Sequence, residues 1–277
     1  MKYAAIFILI MIFVSAFLLN ELPDNRLHIY FLDVGQGDCI LIKSPENKTI
    51  LIDAGPGSSA VKLIGKTLGH LNRKIDLMIL SHPHKDHFEG MLEVVKRYEI
   101  GKILLPNASS ADPLYSTLLN EIKSRKIETA FVPQNSDIDF GAGVFMDFLY
   151  SDSTISDKKS ANESSVIFRL LYGKTSIIFT GDAPIEEEYS ALKLNKDFSA
   201  DLIKIGHHGS KYSTSEEFLY EINSIYAAIQ SGAKNRFGHP HKEALDRLEK
   251  RNVQIFRNDF SGTLEFISDG ETISISI

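Results

Sequence analysis

From Ser81 to His87 the chain reads Ser-His-Pro-His-Lys-Asp-His, which puts three imidazoles and a carboxylate into six consecutive residues, 82–87. Neutral imidazole nitrogen and carboxylate oxygen are the ligands that suit zinc, manganese and iron. The cluster follows the apolar run 75–80, which reads as a strand delivering all four groups to one place. On an extended chain His82 and His84, two apart, point to the same side and can clamp one ion. Asp86 and His87 fall beyond the strand end and can reach a second. The competing reading is a solvated, His-rich loop. Three of the nine histidines in one hexapeptide, in this order, argue against it.

Further candidate ligands stand at the ends of other apolar runs. Asp53 follows Ile50-Leu51-Ile52 and precedes Ala54-Gly55, while Asp182 follows Ile177-Ile178-Phe179 in Thr180-Gly181-Asp182. Each carboxylate could equally cap a turn or a helix. His207 and His208 end the run 202–205 and lead into Gly209-Ser210, where small residues let the backbone crowd a ligand. His239 and His241 flank Pro240 at a helix start. His28 and His70 have no such setting and read as structural.

The elements that must position these groups alternate between strands and helices. Short strands are expected at 28–34, 39–43 and 49–53, helices at 59–71 and 88–98 around the 75–80 strand, and a helix at 112–126. The second half repeats the plan, with strands at 137–149, 165–172, 176–180, 202–205 and 226–230. Helices at 184–194, 215–222 and 241–251 come between or after them. Strands at 253–257, 263–267 and 272–277 close the chain. No Pro/Gly/Ser linker divides it, so residues 26–277 read as one α/β domain with two sheets.

The lone cysteine, Cys39, excludes an intrachain disulfide and a multi-thiolate zinc site. A net charge of -6 excludes coating of nucleic acid by a large basic face, though not a local basic patch. Residues 1–25 carry a separate message: from Tyr3 to Leu19 the only non-apolar residue is Ser15, and Lys2 precedes the run. The segment reads as a signal peptide or a membrane anchor, which places the domain outside the cytoplasm, tethered to the membrane or secreted.

The motifs Phe-Leu-Asp-Val-Gly-Gln-Gly-Asp (31–38), Ile-Asp-Ala-Gly (52–55), the His82 to His87 cluster, Thr-Gly-Asp (180–182), His-His-Gly-Ser (207–210) and Gly-His-Pro-His (238–241) stand in the order seen in the metallo-β-lactamase superfamily. More closely, the chain resembles the soluble domain of ComEC-type competence proteins. The resemblance implies a four-layer αββα sandwich with a metal site at one edge of the two sheets. By position, His82 and His84 would bind one ion, Asp86 and His87 the other, and Asp182 would bridge them. His207 or His208 would complete the site, and Asp53 would orient a ligand through an imidazole N–H. The chain departs from the superfamily pattern in one respect: no histidine lies between His87 and His207, where Asn162 or the Ser164-Ser165 pair stands nearest in order.

Two divalent ions, zinc or manganese, about 3.5 to 4 Å apart would lower the pKa of a shared water and stabilise the oxyanion formed by its attack. Asp86 and Asp182 would carry that chemistry. Lys211, Lys234, Arg236 and Lys242 surround the two late histidine motifs, and with His241 they would draw an anionic substrate, DNA among the candidates. The leading expectation is a phosphodiesterase or nuclease. Hydrolysis of another ester (a phosphorylcholine or teichoic-acid type phosphodiester, a lactone or a thioester) is the alternative, and a non-catalytic binding module the third.

Overall fold

The computed structural model describes residues 22–69, 72–133, 136–151 and 161–276, together with 3, 6–8 and 11. Most of the apolar segment expected over 1–25, and His70, lie outside the described residues. Among the described residues no helix is long and apolar enough to cross a membrane.

Apolar residues on both faces of the strands dictate a sandwich. In β2 (Ile40–Lys43) and β3 (Thr49–Ile52), Ile40, Ile42, Ile50 and Ile52 enter one core while Leu41 and Leu51 enter another. Period-two alternation with no polar face requires cover on both sides. One sheet has the order β15 (Ile273–Ser276), β14 (Leu264–Ser268), β1 (Leu27–Phe31), β2, β3, β4 (Lys74–Ile79), β5 (Glu99–Leu105), β6 (Glu128–Phe131). The other runs β13 (Gln254–Arg257), β12 (Tyr226–Ile229), β11 (Leu202–Lys204), β10 (Thr175–Phe179), β9 (Ile167–Tyr172), β8 (Val144–Tyr150), β7 (Asp137–Gly141).

Between the sheets lies a core that includes the ring stack Phe148, Phe168 and Phe179. Helices α1 (Ser59–Leu68), α2 (Lys85–Arg97) and α3 (Pro113–Ser124) cover the first sheet. The second is covered by α4 (Ile185–Leu192), α5 (Glu216–Ile222) and α6 (Lys242–Lys250). The four layers are therefore αββα, as expected.

Each sheet is half antiparallel and half parallel. Strands β3 to β6 run parallel, as do β10 to β13. Parallel strands present their carboxyl ends at one edge, where α/β sheets bind ligands. Asp53, the His82 cluster, Asp182 and His207-His208 follow β3, β4, β10 and β11, so two parallel half-sheets deliver them to a common edge.

Three expectations need correction. β5 and β6 escape the sequence pattern because Glu99 and Gly101 interrupt the alternation of one, and the other is a largely exposed edge strand. The single strand expected at 137–149 is a hairpin, since Gly141, Ala142 and Gly143 all take positive φ (91°, 53° and 76°). Helix α2 begins at Lys85 and takes Asp86 and His87 into its first turn.

Candidate metal centre

The chain turns sharply after β4. His84 N donates to His82 O at 3.0 Å, so His82 and His84 do not share one side of an extended strand. This turn starts α2, placing Asp86 where a helix N-terminus favours negative charge. The helix lies directly on the turn after β3: Ala54 N donates to His87 O at 2.8 Å, and a β-carbon at Gly90 would stand 2.0 Å from Ala54 O. Only glycine permits that approach, which sets His87 beside Asp53. Gly37 does the same on the other flank, at φ +142°, where a β-carbon would stand 2.3 Å from Asp86 O.

Three imidazoles are anchored through Nδ1, leaving Nε2 to face a shared space. His87 Nδ1 donates to Asp53 Oδ2 at 2.8 Å. Asp53 also accepts from Ser81 N at 2.8 Å and Ser81 Oγ at 2.6 Å. With its hydrogen given to Asp53, Ser81 Oγ accepts from His82 Nδ1 at 3.0 Å. His208 Nδ1 donates to Gln230 O at 2.9 Å. An N–H held by a carboxylate, hydroxyl or carbonyl fixes the tautomer that presents the other nitrogen to a metal.

The opposite nitrogens converge on Asp182 Oδ2, at 3.2 Å from His87 Nε2, 3.5 Å from His208 Nε2 and 3.9 Å from the Nε2 atoms of both His82 and His207. Asp86 Oδ2 stands 3.2 Å from His208 Nε2. Among the described residues, four groups have ligand atoms within 4.8 Å of one another: His82, His87 and Asp182; Asp86, His87 and His208; Asp38, Asp53 and His87; Asp38, Asp182 and His208. His82 Nε2, Asp182 Oδ1 and Asp38 Oδ1 are buried without a hydrogen-bond partner. Buried polar atoms are rarely left so, and imidazole with carboxylate is a donor set that fits a divalent transition ion.

Beneath this cluster lies Lys204, fully buried at the end of β11. It shares the inter-sheet face with Leu202, two residues earlier, which brings its stem up from the core to the site. Its ammonium donates to Gly181 O at 2.8 Å, pairs with Asp38 Oδ2 and stands 3.6 Å from Asp182 Oδ1. Asp38 in turn reaches His208 Nδ1 at 3.3 Å and His87 Nδ1 at 3.8 Å.

Burial sets the direction for lone groups, and partners reverse it for the rest. Burial would raise the Asp38 carboxyl and lower the Lys204 ammonium, but their mutual attraction lowers the first and raises the second. Burial likewise acts to lower His87 and His208. Asp182 and Asp53 raise His87 well above its ordinary value, and Asp182, Asp38 and Asp86 raise His208 to about 10. Asp182 itself is held well below its ordinary value, as His208 and His87 outweigh burial. His82 goes the other way, lowered well below its ordinary value by burial and by the charge of His87. Lys204 is thus the fixed cation that offsets the carboxylates, and a metal ion arriving at the imidazole Nε2 atoms would displace any proton held there.

The structure brings together His82, Asp86, His87, Asp182, His208 and Asp53. His84 stands beside them, its ring 5.0 Å from that of His82, and joins none of the converging groups among the described residues. Of the late pair, His208 is the anchored and buried one. His207 is one-third exposed, and both take left-handed φ, 46° and 57°, a conformation that costs about 1–3 kcal/mol at non-glycine residues and persists where surroundings enforce it. Ser165 Oγ, from the segment without a histidine, accepts from Asp182 N at 3.0 Å.

His241 accepts from Lys211 N at 3.1 Å and lies 4.7 Å from His239. Lys234 and Arg236 are exposed on the same loop. The Lys242 ammonium turns away to Asp246, at 2.5 and 2.6 Å, so it is not part of a free basic rim. Asp38, Lys204 and Gln230 are site residues to which sequence reasoning gave no role, whereas His239, named there beside Pro240, does stand next to His207 and His208. The signals were a lysine inside the otherwise apolar run 202–205, and an Asp closing the 31–38 motif.

A family model described as the metallo-beta-lactamase superfamily matches residues 32–250. The chain belongs to the metallo-β-lactamase superfamily. This metallo-β-lactamase-fold chain is 27% identical over 252 residues to ComE operon protein 3 of Bacillus subtilis, covering 85% of this chain and 32% of that protein. It is 28% identical over 261 residues to recombination protein 2 of Haemophilus influenzae, covering 92% and 30%. The chain thus spans about a third of the length of these ComEC-type relatives. Among solved structures, the metallo-β-lactamase-fold protein YhfI of Bacillus subtilis superposes with a TM-score of 0.55 at 13% identity, over 83% of this chain and 95% of that one. Membership makes the protein a metal-dependent hydrolase, and its His and Asp groups are the candidate ligands for divalent ions.

The buried Asp38–Lys204 pair is open to a direct test. Lys204→Met strands the Asp38 carboxylate and is expected to cost about 3–5 kcal/mol of stability. Asp38→Asn with Lys204→Met should recover part of that loss, because the two positions couple. Chemical denaturation of chelator-treated protein measures both, and a Lys204→Met variant as stable as the wild type would contradict the pairing.

Proposed function

We propose that the domain is an extracytoplasmic phosphodiesterase that cuts nucleic acid, DNA included, using two divalent ions, zinc or manganese. His82 and Asp182 would hold one ion, with His84 standing beside it; Asp86, His87, His208 and Asp182 would hold the other. The observation that carries the reading is Asp182 Oδ2, a single carboxylate oxygen within 3.9 Å of four imidazole nitrogens. No single tetrahedral ion uses so many ligands. Bound ions there supply Lewis acidity and activate water for attack on phosphorus. Asp53, Ser81 and Gln230 O keep the imidazoles turned inward, and Lys211, Lys234 and Arg236 favour an anionic substrate at the mouth. A relative named for recombination supports DNA as the polymer.

Metal content tests the two-ion reading. Reconstituted wild type should hold close to two ions per chain by elemental analysis, and Asp182→Ala should lose both. Less than about half an ion in the wild type would end the proposal, because a true site fills under those conditions.

Activity tests the reaction class. Bis-p-nitrophenyl phosphate and linear DNA, with manganese and with zinc, should be hydrolysed by the wild type and not by Asp86→Ala or His208→Ala, each of which removes a ligand. Lys234→Ala should chiefly raise KM and reduce the salt dependence. Turnover of a lactone or thioester alone would transfer the assignment to acyl-ester hydrolysis, and no metal-dependent turnover to a binding module.

Location rests on the apolar run after Lys2. External protease should digest the domain in intact cells. Full protection alongside a digested exported control would overturn export.

A further inference from the structure

We infer that Phe237 is a stacking platform for the base next to the scissile phosphate, which makes single-stranded nucleic acid the substrate of this site; the inference rests on the phosphodiesterase reading above. Phe237 is a large apolar side chain left 50% exposed. It is not loose: Asn235 Oδ1 accepts from Phe237 N at 3.1 Å and His239 N at 3.0 Å, while Asn235 Nδ2 donates to Gly232 O at 2.9 Å and His239 O at 2.6 Å. An exposed aromatic ring on a loop held by four hydrogen bonds gains nothing for the core, and the group over it is the flexible Arg236 guanidinium, which a base could displace.

The ring also points along a path to the ions' ligands. Phe237 lies near-parallel to His239, 22° between planes with centroids 5.8 Å apart. His239 lies 5.4 Å from His207 and 6.0 Å from His208, both of which reach Asp182. A row of rings thus runs from the buried centre to solvent. Gln36, from the 31–38 motif, steadies its middle member, with Nε2 3.5 Å from His239 Nδ1. The Arg236 guanidinium stands 5.0 Å from the Phe237 centroid, exposed and with no carboxylate partner among the described residues, free to turn to a backbone phosphate. Aromatic faces beside cations recognise single strands, because every base has a π-face and only an unpaired, unstacked base can present it.

Two esters with the same phosphodiester and the same leaving group isolate the base: p-nitrophenyl thymidine monophosphate and p-nitrophenyl methyl phosphate. Wild type should prefer the thymidine ester in kcat/KM, mainly through KM. Phe237→Ala should shrink that preference about tenfold or more, and Phe237→Trp should retain it. In parallel, fluorescence anisotropy compares oligothymidylate with an abasic strand and a duplex of equal length. The wild type should bind oligothymidylate tightest, and Phe237→Ala should bind it no better than the abasic strand. An unchanged ester preference and an unchanged thymidylate advantage in Phe237→Ala would overturn the platform, and duplex bound as tightly as single strand would overturn the substrate class. If the wild type cleaves neither ester, the phosphodiesterase reading fails, and the anisotropy series decides the platform by itself.

Discussion

Asp182 Oδ2 is the atom on which the site turns. Four imidazoles from two sheets face it, and each comes within hydrogen-bonding or near-contact range in a largely buried setting. Such a concentration of titratable groups persists in a buried place only if the charge balances. Lys204 supplies a fixed part of that balance from below, through Asp38 and Asp182. The ammonium is an unusual neighbour for a metal centre. Its position on the carboxylates' inner side leaves their outer atoms, and the Nε2 edge of each imidazole, for the ions.

The fold meets that constraint by symmetry of plan. Each sheet contributes a parallel half whose strands end at the same edge, and the loops there are kept short and tight by glycines at the points of closest approach. Gln230 joins the halves: its backbone carbonyl anchors His208, while its side chain donates at 3.1 Å to Leu32 O and Cys39 O in the facing sheet. The histidine that follows β11 is therefore aligned by β12 and, through it, by the loop after β1. Misalignment of one sheet on the other would be felt first at the metal ligands.

Much of this was legible in the sequence, for a physical reason. Ligand residues at the ends of apolar runs fix both a strand and its polar terminus, so the cluster at 82–87, Asp53, Asp182 and the 207–208 pair could be found without coordinates. Elements whose pattern depends on partners could not. β6 is an exposed edge strand, the 137–149 run hides a hairpin, and the turn at His82 redirects His84. Lys204 and Asp38 were hidden because lysine and aspartate are ordinarily surface residues. Only the three-dimensional meeting of the two sheets shows that each is the other's counter-ion.

The burial of the ligands is uneven, and that has a consequence for traffic. The side chains of His82, His87, His208 and Asp182 are 0–2% exposed, whereas Asp86 is 35% and His207 31% exposed. Among these candidate ligands, Asp86 at the start of α2 and His207 in the 206–209 turn are thus the two that solvent reaches most readily. Under the phosphodiesterase reading, a polymer lying across these two residues would cover the ligands beneath, so a bound strand would shield any ions from chelators and its departure would open them to exchange.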